Sequence, residues 1–412
     1  MGEMTDAIHR GPLDGVVVLD LTSMLAGPFA TMVLGDLGAR IIKIEAPFGD
    51  SVRSAARLPG DVDPKGFGGY FQSINRNKES LVLDLKTDAA KDVFRRMVTE
   101  ADMVVENFRS GVMTRLGLSF EDLKEINPRL VYGALRGFGD ARTGQSPYDH
   151  WPAFDVVAQA MGGLMGITGD QGGAPMKVGA GVGDTVPALF LAIGLVTALH
   201  AARESGEAQF VDVGMYDSVI AICERIIYQN SYSGEIPGPE GSGHPLLCPF
   251  GVFPARDGHV AIGCPRNNFW KILTQEMGQP ELADDPRFLS NEDRVANRVE
   301  VEKAVSGWTR GLTKAELIDR LGGRVPLGPV NTAADIMADP HATARNMLAT
   351  VPQPGPNGRD VQIANTPIHF LNRETGVRRR APTMGENSAG ILADMGFDPD
   401  EIAALYRAGA VE

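Results

Sequence analysis

Asp184 is the residue best placed to meet a ligand in this chain of 412 residues. From 162 to 183 the sequence is rich in glycine and has no clean period, as in a loop that a ligand approaches closely. In AGVGDTVPAL, the small neighbours of Asp184 expose a carboxylate together with backbone N–H groups. An apolar helix reading 185–202 follows, and a helix N-terminus favours an ionised carboxylate through its dipole and unpaired amides. The same spacing also fits a carboxylate that only caps the helix. Arg115 and Arg136 follow successive strand-like runs, at the edge where open α/β sheets bind ligands; each alone also reads as a solvated surface charge. Cys223, Cys248 and Cys264 have no CxxC spacing, so they read as packing residues and not as a disulfide framework or zinc site.

A βα alternation must position these groups. The run VVVLDL at 16–21 has strand length; Pro28 suits a first helical turn, Phe29, Met32, Val33 and Leu37 share a face, and Gly38 is placed to end the helix. With a second run at 41–45 this makes a parallel βαβ unit. Further strands are expected at 81–85, 103–106, 130–135 and 208–213. Thr87 and Ser119 open intervening helices, and another helix starts at Met215. Such alternation implies a parallel sheet wrapped by helices. The turn after the first strand reads LTSMLAGPF and holds no GxGxxG, which argues against a nicotinamide dinucleotide. Gly, Pro and Ser cluster in SGEIPGPEGSGHPLLCPFGVFP, where a second domain begins, with helices at 267–277 and 299–321. The remainder carries a strand-like 361–364 and a last helix near 400–408.

Hydrophobic residues make up 43% and charged residues 22%, ordinary values for a folded soluble protein. No run approaches the roughly 20 apolar residues that cross a bilayer, and the start MGEMTDAIHRGPLDG lacks a signal-peptide core, so a cytoplasmic protein is expected. The net charge of -13 argues against nucleic acid or anionic membrane as a partner, since a polyanion needs a basic surface. Between residues 76 and 142, twelve Lys or Arg stand against eleven Asp or Glu, so a site for a small anion is expected there. Solvated helix faces would give the same count.

Read in order, LDLTSMLAGPFATMVLGDLGARIIKIEAPFGD, NRNKESLVLDLKT, VVENFRSGVMTRLGL, INPRLVYGALRGFG, AQAMGGLMGITG, VGDTVPALFLAIGLVTAL and GSGHPLLCPFGVFPARDG span nearly the whole chain. This succession resembles the family III CoA-transferases, which include formyl-CoA transferase, carnitine CoA-transferases and 2-methylacyl-CoA racemases. The resemblance implies an α/β fold: a Rossmann-like large domain with a parallel sheet plus a smaller second domain, in an interlocked ring-shaped homodimer. On that pattern residues 1–232 and 330–412 build the large domain and 233–329 the small one.

The resemblance also assigns roles. The aspartate of the GD element, Asp184 here, attacks the thioester carbonyl, and the glycine loop matching Gly241, Ser242 and Gly243 supplies oxyanion donors. Coenzyme A contacts fall on Ala26, Lys78, Asn107, Phe108, Arg115 and Arg136. The substrates implied are an acyl-CoA and a carboxylic acid, with short dicarboxylic acyl groups such as succinyl or mesaconyl favoured; no tightly bound cofactor and no metal are implied. Two departures narrow the choice. Where formyl-CoA transferase has a glutamine that touches the acyl group, this chain has Leu25, which argues against formyl or oxalyl substrates. Where the racemases have a histidine before an aspartate, this chain has Phe154 before Asp155, and His150 lies four residues too early. Transferase, racemase and a non-catalytic CoA-binding relative are the three readings; retention of Asp184 disfavours the last and Phe154 disfavours the second.

Overall fold

The computed structural model describes residues 11–53, 68–354 and 358–412, so most of the start read as leader-free lies outside the described residues. Two compact units result: Met1–Leu164, Val178–Arg225 and His341–Glu412 form the first, and Met165–Lys177 with Ile226–Pro340 the second. The boundaries therefore fall at 225/226 and 340/341 in place of 232/233 and 329/330, and residues 165–177 join the second unit. Polar contacts account for the 340/341 boundary and for the placement of residues 165–177. Gly241 donates its N–H to the Gly169 carbonyl (2.9 Å), and an ion pair from Lys314 to Asp335 (3.5 Å) keeps residues just past 330 in the second unit.

The first unit is organised by six parallel strands: β1 (Val17–Asp20), β2 (Arg40–Glu45), β3 (Lys78–Val82), β4 (Met103–Glu106), β5 (Val131–Arg136) and β6 (Gln209–Gly214). Their order is β3-β2-β1-β4-β5-β6. The chain thus runs outward from β1 to β3, returns, and runs outward again from β4, leaving a crevice between the carboxyl ends of β1 and β4. Open doubly wound sheets bind ligands at such a switch point. Sequence reading places β3 three residues too late, because Lys78 and Ser80 look like surface residues. Both are buried, since Lys78 pairs with Asp20 and Ser80 donates to Glu45 (2.9 Å).

Helices α1 (Ala26–Asp36), α2 (Gly69–Asn75), α3 (Asp88–Val98), α4 (Val112–Leu116), α5 (Phe120–Lys124), α6 (Asp155–Met161), α7 (Val182–Ser205) and α8 (Met215–Ile222) cover the sheet. Thr87 caps α3 by accepting from the Ala90 N–H, and Ser119 with Asp122 forms a reciprocal capping box on α5. Helix α3 is amphipathic, and its buried Ala90, Val93, Phe94, Met97 and Val98 meet Leu19, Ile42 and Val104 in one apolar cluster. Beyond residue 340 the chain returns to this unit as a hairpin of β10 (Leu348–Pro352) and β11 (Asp360–Ala364), then runs along β3, where Asn77 binds the Arg378 and Arg379 amides.

Helix α7 sets the position of Asp184. It spans 24 residues and starts three residues earlier than its apolar run indicates, which brings Asp184 into the first turn. By length and composition it could cross a membrane, unlike any run expected from the sequence. Here it packs on β5 and β6 through two close approaches. A Cβ on Gly133 would stand 2.8 Å from Leu195, and one on Gly194 2.7 Å from Val211.

The second unit pairs β7 (Phe250–Ala255), β8 (Gly258–Gly263) and β9 (Leu327–Pro329) antiparallel. Helices Asn267–Glu276, Arg298–Thr309 and Lys314–Leu321 pack on them around Trp270, Leu273, Val305 and Leu321. The single helix expected over 299–321 is broken because Thr313 and Glu316 form a capping box that restarts it. All three cysteines are buried and free, and burial pushes the Cys248 thiol up to about 11 and that of Cys264 to about 12.

Removing one member of a buried ion pair strands the other charge, at a cost of about 3 to 5 kcal/mol. Lys78→Ala is therefore expected to lower stability by about that amount in urea unfolding, whereas Arg95→Ala, which breaks an exposed pair with Asp92, should change it by less than about 1 kcal/mol.

Candidate active site

A cleft lies at the carboxyl ends of β1, β4 and β5, within the first unit. Its walls come from the turn after β1 (Ser23 to Ala26), the turn after β4 (Asn107 to Ser110) and the loop from Asp149 to Phe154, and Asp184 opens into it. Of the residues expected from the sequence, the structure brings together Ala26, Asn107, Phe108, Arg136 and Asp184 here.

The floor is built from buried charge. Lys78 Nζ meets Asp20 at 2.8 Å and also donates to Thr31, Asn75 and the Pro28 carbonyl. Asp20 accepts from the Thr22 amide (2.9 Å); Lys43 donates to the Thr22 carbonyl (2.8 Å) and pairs with Asp50 (2.9 Å), which accepts from the Met24 amide (3.1 Å). Burial opposes the Asp20 charge, but the Lys78 and Lys43 ammoniums more than offset it, and its carboxyl titrates below the usual range. Burial pulls the Lys78 ammonium down to about 8. Thus the turn after β1 is held from beneath at successive backbone groups, and Met24 is kept at φ 68°, a left-handed conformation uncommon outside glycine. The coenzyme A contact expected at Lys78 is corrected accordingly: the side chain is fully buried and its donors are turned to the protein interior.

Asn107 exchanges two hydrogen bonds with the Ser23 backbone, accepting from its N–H (2.9 Å) and donating to its carbonyl (2.8 Å). The two turns bordering the crevice are locked together in this way. Arg136 reaches the cleft wall with its side chain only 9% exposed. Its three nitrogens donate to Glu106, Asp140 and the Phe108 carbonyl, so the guanidinium expected to contact coenzyme A also braces the cleft wall from inside it. Arg115 is exposed on α4 and lies outside the cleft lining.

Asp184 owes its place to Asp155 and Gln159 on α6. The Asp155 carboxylate accepts from the Gly183 N–H (2.8 Å) and from Gln159 (2.8 and 3.0 Å), while Gln159 accepts from the Val178 N–H (3.0 Å). A Cβ at position 183 would lie 2.5 Å from the Asp155 carbonyl oxygen, which is why glycine precedes the aspartate. Leu25 lines the cleft beside this turn.

Among the lining residues that sequence reasoning missed, Tyr70, Arg109 and Trp151 stand out for their chemistry. Tyr70 has its phenol raised above the usual range, first by burial and then by the Asp184, Asp50 and Asp155 carboxylates; its segment carries no sequence signal. Arg109 is an exposed cation immediately after Phe108, and its position could have flagged it. Trp151 is fixed by contact with Tyr148 and Phe138, an aromatic cluster visible only in the fold. His150 lines the cleft too, with Nδ1 2.9 Å from Asp149.

Gly241, Ser242 and Gly243 belong to the second unit. Gly241 has φ 65° and gives its N–H to Gly169; Ser242 borders a groove with Phe250 and Val252. Among the described residues no cluster of His, Cys, Asp and Glu is arranged to hold a metal.

An α/β unit whose switch-point crevice receives a carboxylate from a helix N-terminus is a ligand-binding enzyme fold with its chemistry at one edge. The chain belongs to the CoA-transferase family III, whose model matches residues 13–388. Succinyl-CoA:mesaconate CoA-transferase of Haloarcula hispanica is 44% identical over 386 residues, covering 94% of this chain and 97% of that protein. Acetyl-CoA:oxalate CoA-transferase of Acetobacter aceti is 41% identical over 356 residues, covering 84% and 88%. The crystal structure of a CAIB/BAIF family protein from Brucella suis superposes with a TM-score of 0.83 at 34% identity, over 94% of this chain and all of that one. The protein is a CoA-transferase, and the racemase alternative falls.

Gly183→Ala is expected to reduce turnover by more than about tenfold, since a 1 Å displacement of a reacting group can cost about a hundredfold, while circular dichroism stays native. Equal turnover in the two proteins would show that the Asp155 contact does not set the position of Asp184.

Proposed function

We propose that coenzyme A is transferred through acyl anhydrides of Asp184 formed in this cleft. The observation that carries the reading is the arrival of Asp184, from the first turn of α7, in the crevice lined by Ala26, Asn107 and Phe108. An Asp184 oxygen attacks the thioester carbonyl, a C–O bond forms, the C–S bond breaks, and coenzyme A leaves as its thiolate. Thiolate attack on the aspartyl carbonyl releases the donor acid and leaves coenzyme A on Asp184; the acceptor carboxylate then reverses these steps to take it. Holding carboxylate and thioester in near-attack geometry can supply an effective molarity of about 10⁵ M or more. The glycine turn Gly241, Ser242 and Gly243 is proposed to stabilise the oxyanions, as preorganised backbone donors do.

Two residues support transfer over α-proton exchange. Phe154 lines the cleft, 60% exposed, and has no proton to exchange; the Asp155 carboxylate is engaged with Gly183 and Gln159. Short dicarboxylic groups such as succinyl and mesaconyl are proposed as the acyl groups. The Haloarcula hispanica relative is named for succinyl-CoA and mesaconate, and a 35% identical relative from Chloroflexus aurantiacus for succinyl-CoA and D-citramalate. A screen of acyl-CoA donors against carboxylate acceptors, read by mass spectrometry, tests this choice.

The strand order supports a Rossmann-like reading of the first unit, and the active form is proposed to be the interlocked homodimer. Helix α7 supports the dimer, because Leu189, Phe190, Ile193 and Val196 form an exposed apolar stripe on it, with Ile193 63% exposed. A contiguous apolar patch on a folded chain marks a surface that something covers.

Donor thioester with hydroxylamine should convert Asp184 to its hydroxamate, detected as a mass shift on the peptide, and Asp184→Asn should abolish transfer. Wild-type transfer by the Asn variant would end the covalent reading. Separately, Ile193→Asp should shift the protein from dimer to monomer in analytical ultracentrifugation; a wild-type sedimentation coefficient would show that the stripe is not the dimer contact.

A further inference from the structure

Glu106, the last residue of β4, is fully buried beneath the cleft and has no part in the anhydride chemistry. Its carboxylate takes the Phe108 N–H at 2.7 Å on one oxygen. The other oxygen pairs with Arg136, and the Tyr132 hydroxyl lies 3.5 Å from it. Arg136 in turn donates through Nε to the Phe108 carbonyl at 3.3 Å. The ion pair therefore grips Phe108 by both of its backbone polar groups. The Phe108 side chain leans against the apolar core while lining the cleft.

We infer that Glu106 is a positioning residue for the transfer reaction, which with Arg136 clamps the Phe108 peptide so that the aromatic ring stays presented to the bound thioester. This rests on the reading that the cleft holds the thioester. Extended β-strand backbone ends at Glu106, and nothing regular fixes the two residues that follow. The Ser23 exchange holds Asn107, and the clamp holds Phe108. Replacing the carboxylate by an amide keeps the shape and an acceptor for the Phe108 N–H but leaves Arg136 without its full counter-charge, so ring placement should loosen while Asp184 is untouched.

The same geometry makes the clamp sensitive to protonation. Burial pushes the Glu106 carboxyl up to about 7, against the opposing pull of Arg136; Asp140 adds to the rise, and Tyr132 and the Phe108 amide oppose it. The charged groups facing it are thus Arg136 and Asp140, with Tyr132 as the neutral neighbour. A carboxyl raised in this way is ionised above about 7 and neutral below, so the clamp is complete on the alkaline side and weakened on the acid side.

The experiment measures KM for the donor CoA thioester and kcat between pH 6 and 8.5, in the full-length protein. For the wild type, KM is expected to rise severalfold as pH falls through 7. For Glu106→Gln, KM should be about tenfold higher at pH 8, with kcat changed by less than about twofold, and the part of the pH dependence that distinguishes wild type from variant should vanish. Subtracting the variant's profile removes the titration of the substrate's own phosphate. Arg136→Met reads the other half of the clamp and should reproduce the rise in KM if Glu106→Gln does not fold. A Phe108→Ala variant separates the two levels of the argument: unchanged KM there would mean that the cleft does not hold the thioester. Raised KM with Phe108→Ala but wild-type KM with Glu106→Gln or Arg136→Met would overturn the clamp, as would a wild-type KM that stays flat across the range.

Discussion

The pairing of Lys78 with Asp20 inside the sheet is the interaction on which the cleft depends. An isolated buried charge is costly, and these two are tolerable only together and only with their remaining valences filled. Thr22, Thr31 and Asn75 fill them, and Lys43 and Asp50 extend the chain of charge to Met24. Three members end on backbone of the turn after β1: Asp20 on the Thr22 N–H, Lys43 on the Thr22 carbonyl and Asp50 on the Met24 N–H. A purely apolar floor of the same volume could fill the space, but it could not hold the amides and carbonyl of that turn by hydrogen bonds. Buried polar networks that are fully satisfied fix one geometry where an apolar contact would allow several.

A second tier rests on this floor and joins the turns to one another. Asn107 ties the end of β4 to the turn after β1, while Glu106 and Arg136 carry the connection on to β5. From there Asp140 accepts Arg142, which pairs with Glu121 on α5, so the wall behind Phe108 continues to the protein surface as alternating charge. On the opposite side Asp155 and Gln159 do for the glycine-rich turn what Lys43 and Asp50 do for the first one. Asp184 and the Phe108 side of the cleft therefore depend on separate braces.

The βα alternation was legible because apolar runs of strand length and side chains such as Thr87 and Ser119 carry local signals. The place of Asp184 at a helix N-terminus was legible from its glycine-rich neighbours, whereas a chemical role came only from resemblance, since a helix-capping aspartate and a reactive one share the same neighbours. The partners of buried charges left no sequence signal. Resemblance assigned Lys78 and Arg136 to coenzyme A, and only the fold supplies Asp20, from 58 positions away, and Glu106, from 30. Tyr70 and Trp151 left no trace because their importance lies in which distant segments they meet. The start of β3 was hidden for the same reason, since burial of Lys78 and Ser80 is affordable only after β1 and β2 have assembled.

The bracing has a consequence for how such a protein could be redesigned. Its fixed parts lie beneath and behind the cleft, whereas the side chains of Met24, Leu25 and Phe154 line the loop walls and join neither charge chain; the first chain reaches Met24 only through its backbone N–H. Side chains at those three positions can change size and polarity while the floor keeps its geometry. On the proposed reading of the cleft, retooling for a different carboxylic acid is then a matter of exchanging a few wall residues on an unchanged chassis, and directed evolution confined to them would sample new substrates with little loss of foldable variants.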